Sequence, residues 1–397
     1  MKKFKVRITE FYYIFLFLWA LLTTISVASQ GKFTFLIYNM SLLWTMIHIY
    51  IIAKVIIECR KISSRDIFVL IVLIIIGYNV QIHTKSGFLT AAFWFIAGAR
   101  YIDWEKAVKY LFTAQAMAMA IIFLLCFIGV YEDVSKVNDG HSLGYINPND
   151  LAVNVLQLSL MYLYLHREKL NFKFAIAFLI LALVVYLITN SNTAMLLFIF
   201  TALGIILILS YKRKNLFSVL FSKPFIKCIR YFLVFFAACS VLFAVRRDIG
   251  ESLLGDFHSR IPQMAKYFAF YPITLWGQPL INHYSPDYDW KIGLYTLDNA
   301  YLHLLLGFGI ILFIVFLGLY FMYAKKVYRN KEYVVLLILV VYFALGFTET
   351  MLIRVQYNFT IFLLAEILWG DEKKFNFKRD QYVSTGESNA KFYKGKI

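Results

Sequence analysis

The sequence is poor in charge, proline and cysteine. Of its 397 residues 16% are charged and 61% hydrophobic, with 6 prolines, 19 glycines and 4 cysteines. Soluble domains run nearer ~25% charged and ~45–50% apolar. A chain this short of charge cannot cover a core in water, so a water-soluble enzyme is excluded, and the same numbers exclude disorder. The scarcity of proline and glycine excludes a collagen-like repeat, and that of cysteine a disulfide-stapled scaffold. Cys126 and Cys239 lie in apolar runs, Cys59 and Cys228 flank basic segments, and no CxxC occurs, so cysteine carries no legible function. The period-two alternation of a membrane β-barrel is also missing.

What the sequence has instead is long apolar runs. A membrane span needs ~20 mostly apolar residues, and twelve segments qualify as candidates: 11–28, 35–57, 67–82, 87–99, 108–131, 150–165, 174–189, 193–211, 231–245, 299–323, 333–347 and 355–369. The expected fold is therefore all-α: a polytopic membrane protein of about twelve transmembrane helices, one domain over residues 1–370. The segment 87–99 is short enough to be re-entrant. Lys2, Lys3, Lys5 and Arg7 precede the first run, and Ser26-Val27-Ala28 resembles a signal cleavage site. That apolar run is longer than the ~7–15 residues of a signal core, so it reads as a span.

Charge gives an independent reading of topology, because cytoplasmic loops hold the Lys and Arg excess. With the N-terminus inside and sides alternating, 31 of the 40 basic residues fall inside and 9 outside. The surplus of +17 then lies on the cytoplasmic face, so the basic balance is a topology signal rather than a nucleic-acid footprint. Both termini are expected inside, with 371–397 a polar, disordered tail. Two outer stretches are long, 132–149 and 246–297, and loops of that length in a compact protein are usually functional. No internal repeat of Gly/Pro-broken spans, the pointer to a secondary transporter, is present.

Four polar groups fall on the expected outer face, each before a helix that runs inward. They are His141-Ser142-Leu143-Gly144-Tyr145-Ile146-Asn147-Pro148-Asn149-Asp150; Thr189 to Ala194; Leu297-Asp298-Asn299-Ala300-Tyr301; and Glu349, Arg354 and Asn358. Helix N-termini converging there would form an anion-binding arrangement, although capping explains any single group. In the long loop, Asp256-Phe257-His258-Ser259-Arg260 leads into an amphipathic stretch from Ile261 to Phe270. Arg260 offers a phosphate its planar fork of donors; its bland alternative is an i,i+4 ion pair with Asp256. Arg246 and Arg247 read as snorkelling anchors or as further ligands. Tyr271, Trp276, Tyr284, Tyr288 and Trp290 suit sugar rings and interfacial belts equally. Asp287-Tyr288-Asp289 has the form of a metal-diphosphate DxD but lies outside, where nucleotide sugars are scarce. His258, His283 and His303 lack metal-ligand spacing, so no metal site is expected.

These segments resemble the Wzy polymerases of bacterial capsular polysaccharide and O-antigen, within the O-antigen ligase/polymerase family. The resemblance rests on the run at 141–149, His258-Ser259-Arg260, Tyr271-Pro272 to Gly277, the stretch 297–309, and the Glu349/Asn358 pair. It departs at Asn192, where many relatives carry a basic residue. The resemblance implies a metal-independent glycosyltransferase of the bacterial cytoplasmic membrane, without cofactor and with no nucleic-acid partner. It would polymerise polyprenyl-pyrophosphate-linked oligosaccharide at the outer leaflet, beside membrane lipid and the flippase and chain-length regulator of the same pathway. Arg260 would bind pyrophosphate with Arg246 or Arg247 assisting, and His141 or Glu349 would be the base. Asn147, Asn149, Ser259, Asp298, Asn299, Tyr301 and Asn358 would shape the substrate site. The alternatives are a ligase moving a finished glycan, and a flippase or transporter of the lipid-linked unit.

Overall fold

The computed structural model describes residues 2–28, 34–58, 63–84, 89–134, 140–212, 231–254, 260–281 and 293–369. Ser259, Asp256, the DxD at 287–289, the loop aromatics Tyr284, Tyr288 and Trp290, and the tail 371–397 lie outside the described residues. Among the described residues all regular structure is helical. The main helices are α1 (Lys2–Ala28), α2 (Thr34–Glu58), α3 (Ser64–Thr84), α4 (Thr90–Ala97), α5 (Trp104–Phe127) and α6 (Pro148–Leu165). They continue as α7 (Phe172–Thr189), α8 (Asn192–Lys212), α9 (Phe232–Val245), α10 (Arg247–Leu254), α11 (Arg260–Phe270), α12 (Gly309–Arg329) and α13 (Tyr333–Thr348).

Among the described residues seven helices are long and apolar enough to cross a membrane: Ile8–Ala28, Met40–Glu58, Ser64–Thr84, Trp104–Phe127, Phe172–Thr189, Asn192–Tyr211 and Gly309–Arg329. The chain is thus a polytopic helical protein built for a bilayer. Phe232–Val245 and Tyr333–Thr348 are apolar but shorter. At 1.5 Å per residue, 16 residues rise only about 24 Å. α13 is buried on every side from Val334 to Phe343 and packs against α6, α8, α9 and α12, so it forms the centre. α3 and α7 instead expose Phe68, Ile71, Ile74, Ile180, Leu183 and Leu187. Apolar surface so continuous is compatible with lipid, not water.

Local chemistry explains the helix ends. Asp103, Asn147 and Asn171 cap α5, α6 and α7, each accepting backbone N–H bonds, and Pro148 opens α6 where no donor is needed. Asn190 takes the left-handed conformation (φ 52°) that turns α7 into α8. Inside the helices, Thr24, Ser159, Thr189, Thr201 and Ser240 donate to the carbonyl four residues back, which keeps these five hydroxyls bonded within their own helices. At one end of the bundle the buried Lys54 ammonium donates to Glu58 (3.1 Å) and to the Arg100 carbonyl (2.9 Å), while Arg100 pairs with Asp66 (3.1 Å).

Two expected spans are broken. The run 299–323 begins as a turn at Ala300–Leu302, passes through a π-turn at His303–Gly307, and restarts as α12. The break needs glycine: Gly309 has φ 85° and Gly277, facing it, φ 90°; a Cβ on Gly309 would overlap the backbone of Gly277 and Leu275, and one on Gly277 that of Gly307 and Phe308. The segment 274–278 takes up the groups that the break frees. Ile310 N–H donates to Thr274 O (3.0 Å), Ile311 N–H to Leu275 O (3.4 Å), and Gln278 N–H to Gly307 O (2.9 Å). The run 355–369 divides into short helices Thr360–Leu363 and Ala365–Leu368 after an irregular turn at 354–358. The segment 87–99 yields only the eight-residue α4.

The glycine clasp yields the first prediction. Gly309→Ala should cost at least ~2 kcal/mol through its positive φ and the overlap. It should lower the thermal midpoint in detergent by several degrees. Gly318, with open space about it, should accept Ala with no loss, since helical glycine costs about 1 kcal/mol relative to alanine.

Candidate active site

The end of the bundle opposite Lys54 gathers charge from four separate places. Arg260 opens α11, Glu349 follows the last turn of α13, Asp150 lies in the first turn of α6, and Asp298 precedes the broken helix. Arg260 donates through Nη2 to Glu349 Oε1 at 2.7 Å, and the two side chains are 14% and 9% exposed. Asp298, Asp150 and Arg354 all act electrostatically on the Glu349 carboxyl. His303, in the π-turn, feels Arg354. Three carboxyls and two guanidiniums therefore share one largely buried region.

Both members of the central pair sit against their local helix dipoles. Arg260 places a cation at the N-terminal, partially positive end of α11, and Glu349 an anion at the C-terminal end of α13. Each alone would be unfavourable there. Burial pushes the Glu349 carboxyl up to about 8, helped by Asp298 and Asp150 and opposed by Arg260 and Arg354. An ion pair held against burial and dipoles is a poor source of stability and a good candidate for chemistry.

The remaining expected residues divide into scaffold and surface. Asn299 caps the Ala300 turn through Leu302 N–H (2.9 Å), and donates to Ser240 Oγ (2.9 Å) and Phe347 O (3.0 Å). Tyr301 donates to Phe343 O at 2.7 Å. These two ties pin the segment to α9 and α13 and leave Asp298 beside the charged group. Asn358 is fully buried, donating to Tyr320 Oη (3.1 Å) and Leu352 O (2.7 Å) and accepting from Thr360. Asn147 bonds Asp150 twice, from Asp150 N–H (2.8 Å) and to its Oδ2 (2.9 Å), while Asn149 is partly buried beside it. Arg246 and Arg247 are surface residues paired with carboxylates of their own helix, Asp248 (2.8 Å) and Glu251 (2.6 Å). His141 pairs with Asp133 at 2.6 Å.

The structure thus brings together Arg260, Glu349, Asp298 and, through Asp150, the Asn147 cap. It gives His141, Arg246 and Arg247 other partners. Asp133 is an addition, while Arg354 and Asp150, which the sequence places in the outer polar groups without a role of their own, join the site. Arg354 carries one signal, as the only basic residue between Lys331 and Lys373. Asp133 carries none, being one of two adjacent acids, with Glu132, at the start of the loop. The first polar group reaches the end of α7 just before the second: His141 N–H donates to Ile188 O at 2.7 Å.

The described residues contain no group of three or more potential metal ligands. No family model, no curated protein and no solved structure matches this chain.

Glu349 sets a measurable pH dependence. Its carboxyl is raised above the ordinary carboxylate range in the folded protein, so the fold binds an extra proton that the unfolded chain releases. That contribution is fully present below the unfolded value and is lost as pH rises through about 8. The thermal midpoint in detergent should therefore fall from pH 5 to pH 8.5. In Glu349→Gln the fall should be smaller, since the amide cannot release a proton.

Proposed function

We propose that this protein polymerises polyprenyl-pyrophosphate-linked oligosaccharide units at the outer face of a bacterial cytoplasmic membrane, as a Wzy-type polymerase. The observation that carries the reading is the buried Arg260–Glu349 pair with Arg354, Asp298 and Asp150 around it. A pyrophosphate leaving group requires cations where negative charge develops, and an acceptor hydroxyl requires a base. The cluster supplies both, at the end of a bundle whose helices suit a bilayer.

In this mechanism the acceptor hydroxyl oxygen attacks the anomeric carbon of the growing chain, and the bond from that carbon to the pyrophosphate oxygen breaks. The electron pair leaves with the lipid pyrophosphate, and the hydroxyl proton passes to a base, Glu349 or His141. Arg260 exchanges Glu349 for the incoming phosphate oxygens, and Arg354 supports it. An apolar cavity of about 150 Å³ lies between α3, α4 and α12, lined by Phe68, Leu73, Phe93, Leu312 and Phe316 among others, and has room for a short apolar segment such as part of a lipid tail. Leu312 lies one turn from Gly309, at the site end of α12. The twelve-span layout with both termini inside is part of the same reading. It is supported by the placement of Lys54, Arg100 and the Lys326–Glu366 pair away from the Arg260 cluster along their helices.

Two outcomes are expected. A reporter fused after Lys291 should be accessible from outside the cell; a cytoplasmic reporter would overturn the topology and the site together. Arg260→Ala should abolish polymer while protein still inserts, with a loss of ~10²–10³ in rate. Arg260→Lys should retain partial activity, because it keeps charge but loses the fork. Single lipid-linked units should still reach the outer face in Arg260→Ala. Their retention on the cytoplasmic side would make the protein a flippase instead.

A further inference from the structure

We propose that Asp133 is a positioning residue which fixes His141 as the general base toward the acceptor hydroxyl. The inference rests on the polymerase reading and chooses between the two bases which that reading leaves open.

The geometry is that of an oriented imidazole. His141 Nδ1 lies 2.6 Å from Asp133 Oδ2. The other carboxylate oxygen, Oδ1, accepts the N–H groups of Ser142 (2.8 Å) and Leu143 (2.9 Å). Ser142 Oγ lies 3.4 Å from the same oxygen and accepts Val134 N–H at 2.8 Å. The backbone is bent to make this possible: Leu143 (φ 45°) and Gly144 (φ 92°) are both left-handed. A leucine in that region is unfavourable by ~1 kcal/mol or more, and the carboxylate holds it there. The main chain of His141 is anchored separately, its N–H donating to Ile188 O at 2.7 Å.

A carboxylate bonded to Nδ1 selects the tautomer with the proton on Nδ1, which leaves the Nε2 lone pair to accept a proton. The Asp133 carboxyl stays in the ionised form this requires. Burial pushes it up, but bonds from His141, Leu143 and Ser142 outweigh burial and hold it below its ordinary range. Access separates the two candidates. The His141 side chain is 62% exposed, whereas Glu349 is 9% exposed and already bonded to Arg260. A surface ion pair serving stability alone is worth ~0–1 kcal/mol and needs no triply bonded carboxylate. The loop that carries the dyad approaches the charged cluster through Tyr145 rather than through His141 itself. Tyr145, four residues on from His141, lies in the field of Asp150, which acts in turn on Glu349.

The test uses full-length protein in lipid vesicles, with polyprenyl-pyrophosphate-linked repeat units extracted from the source cells. Asp133→Asn keeps an oxygen for Ser142 and Leu143 N–H but offers Nδ1 a donor, so the fold should persist with the wrong tautomer. We expect kcat to fall ~10²–10⁴-fold with KM within about threefold, and His141→Gln to fall as far. The double variant should be no worse than either single one, as for residues acting as a unit. Independently of turnover, ¹⁵N NMR of labelled histidine should assign the Nδ1–H form to His141 in wild type and the Nε2–H form in Asp133→Asn. Wild-type turnover that survives His141→Gln, or an unchanged tautomer in Asp133→Asn, overturns the dyad and leaves the polymerase reading standing. No turnover by wild-type protein overturns that reading itself.

Discussion

In hydrocarbon every backbone N–H and C=O must find a partner within the protein, and this requirement shapes the whole molecule. Unbroken helices meet it without help. Where the chain leaves helical geometry at 307–309, a second segment must enter and bond the released groups, and residues 274–278 do so. The clasp is what allows Asp298 and His303 to stand at a helix break near the charged cluster. Without it, the run from 299 would continue as one straight helix with its polar residues spread around the cylinder. The irregular turn at 354–358 obeys the same rule through Asn358, whose amide bonds Leu352, Tyr320 and Thr360 together.

The charged cluster is unusual in composition rather than in size. Three carboxyls against two guanidiniums leave it short of positive charge when all are ionised, so it cannot be described as a plain anion receptor. An arriving pyrophosphate would deepen that deficit, and the raised Glu349 carboxyl is the group placed to relieve it by holding a proton. The site is poised between two charge states. Arg260 with Glu349 is the resting arrangement, and Arg260 with phosphate the occupied one.

Much of this was legible in the residues. Apolar runs located the bilayer-length helices, and the Asn147-Pro148-Asn149-Asp150 run marked where α6 begins, although Asn147 rather than Asn149 or Asp150 is its cap. Arg260, Glu349 and Asp298 stood out because charge is rare and loops at that end are long. What could not be read was which polar groups face one another. Asn299, Tyr301 and Asn358 look like ligands in sequence, yet each bonds main-chain atoms that only the folded bundle brings near. Conversely, Arg354 and Asp133 gain their surroundings from partners far along the chain or across an irregular loop. The π-turn and the break at Gly309 were hidden for another reason: an apolar run has the same composition whether one helix or two pieces cross it.

The ion network at the other end bears on how the chain is made. Lys54 in α2 is 1% exposed and is neutralised by Glu58, one turn on, and by a carbonyl of Arg100, some forty-six residues later. A lysine this near the end of a lone helix can snorkel to the interface, so the cost of burying it arises as the bundle closes over it. During synthesis α2 meets the translocon with only its own glutamate for company, and Asp66 arrives before the arginine that matches it. The ion network shared by α2, α3 and the segment around Arg100 can therefore be completed only once all three stand side by side.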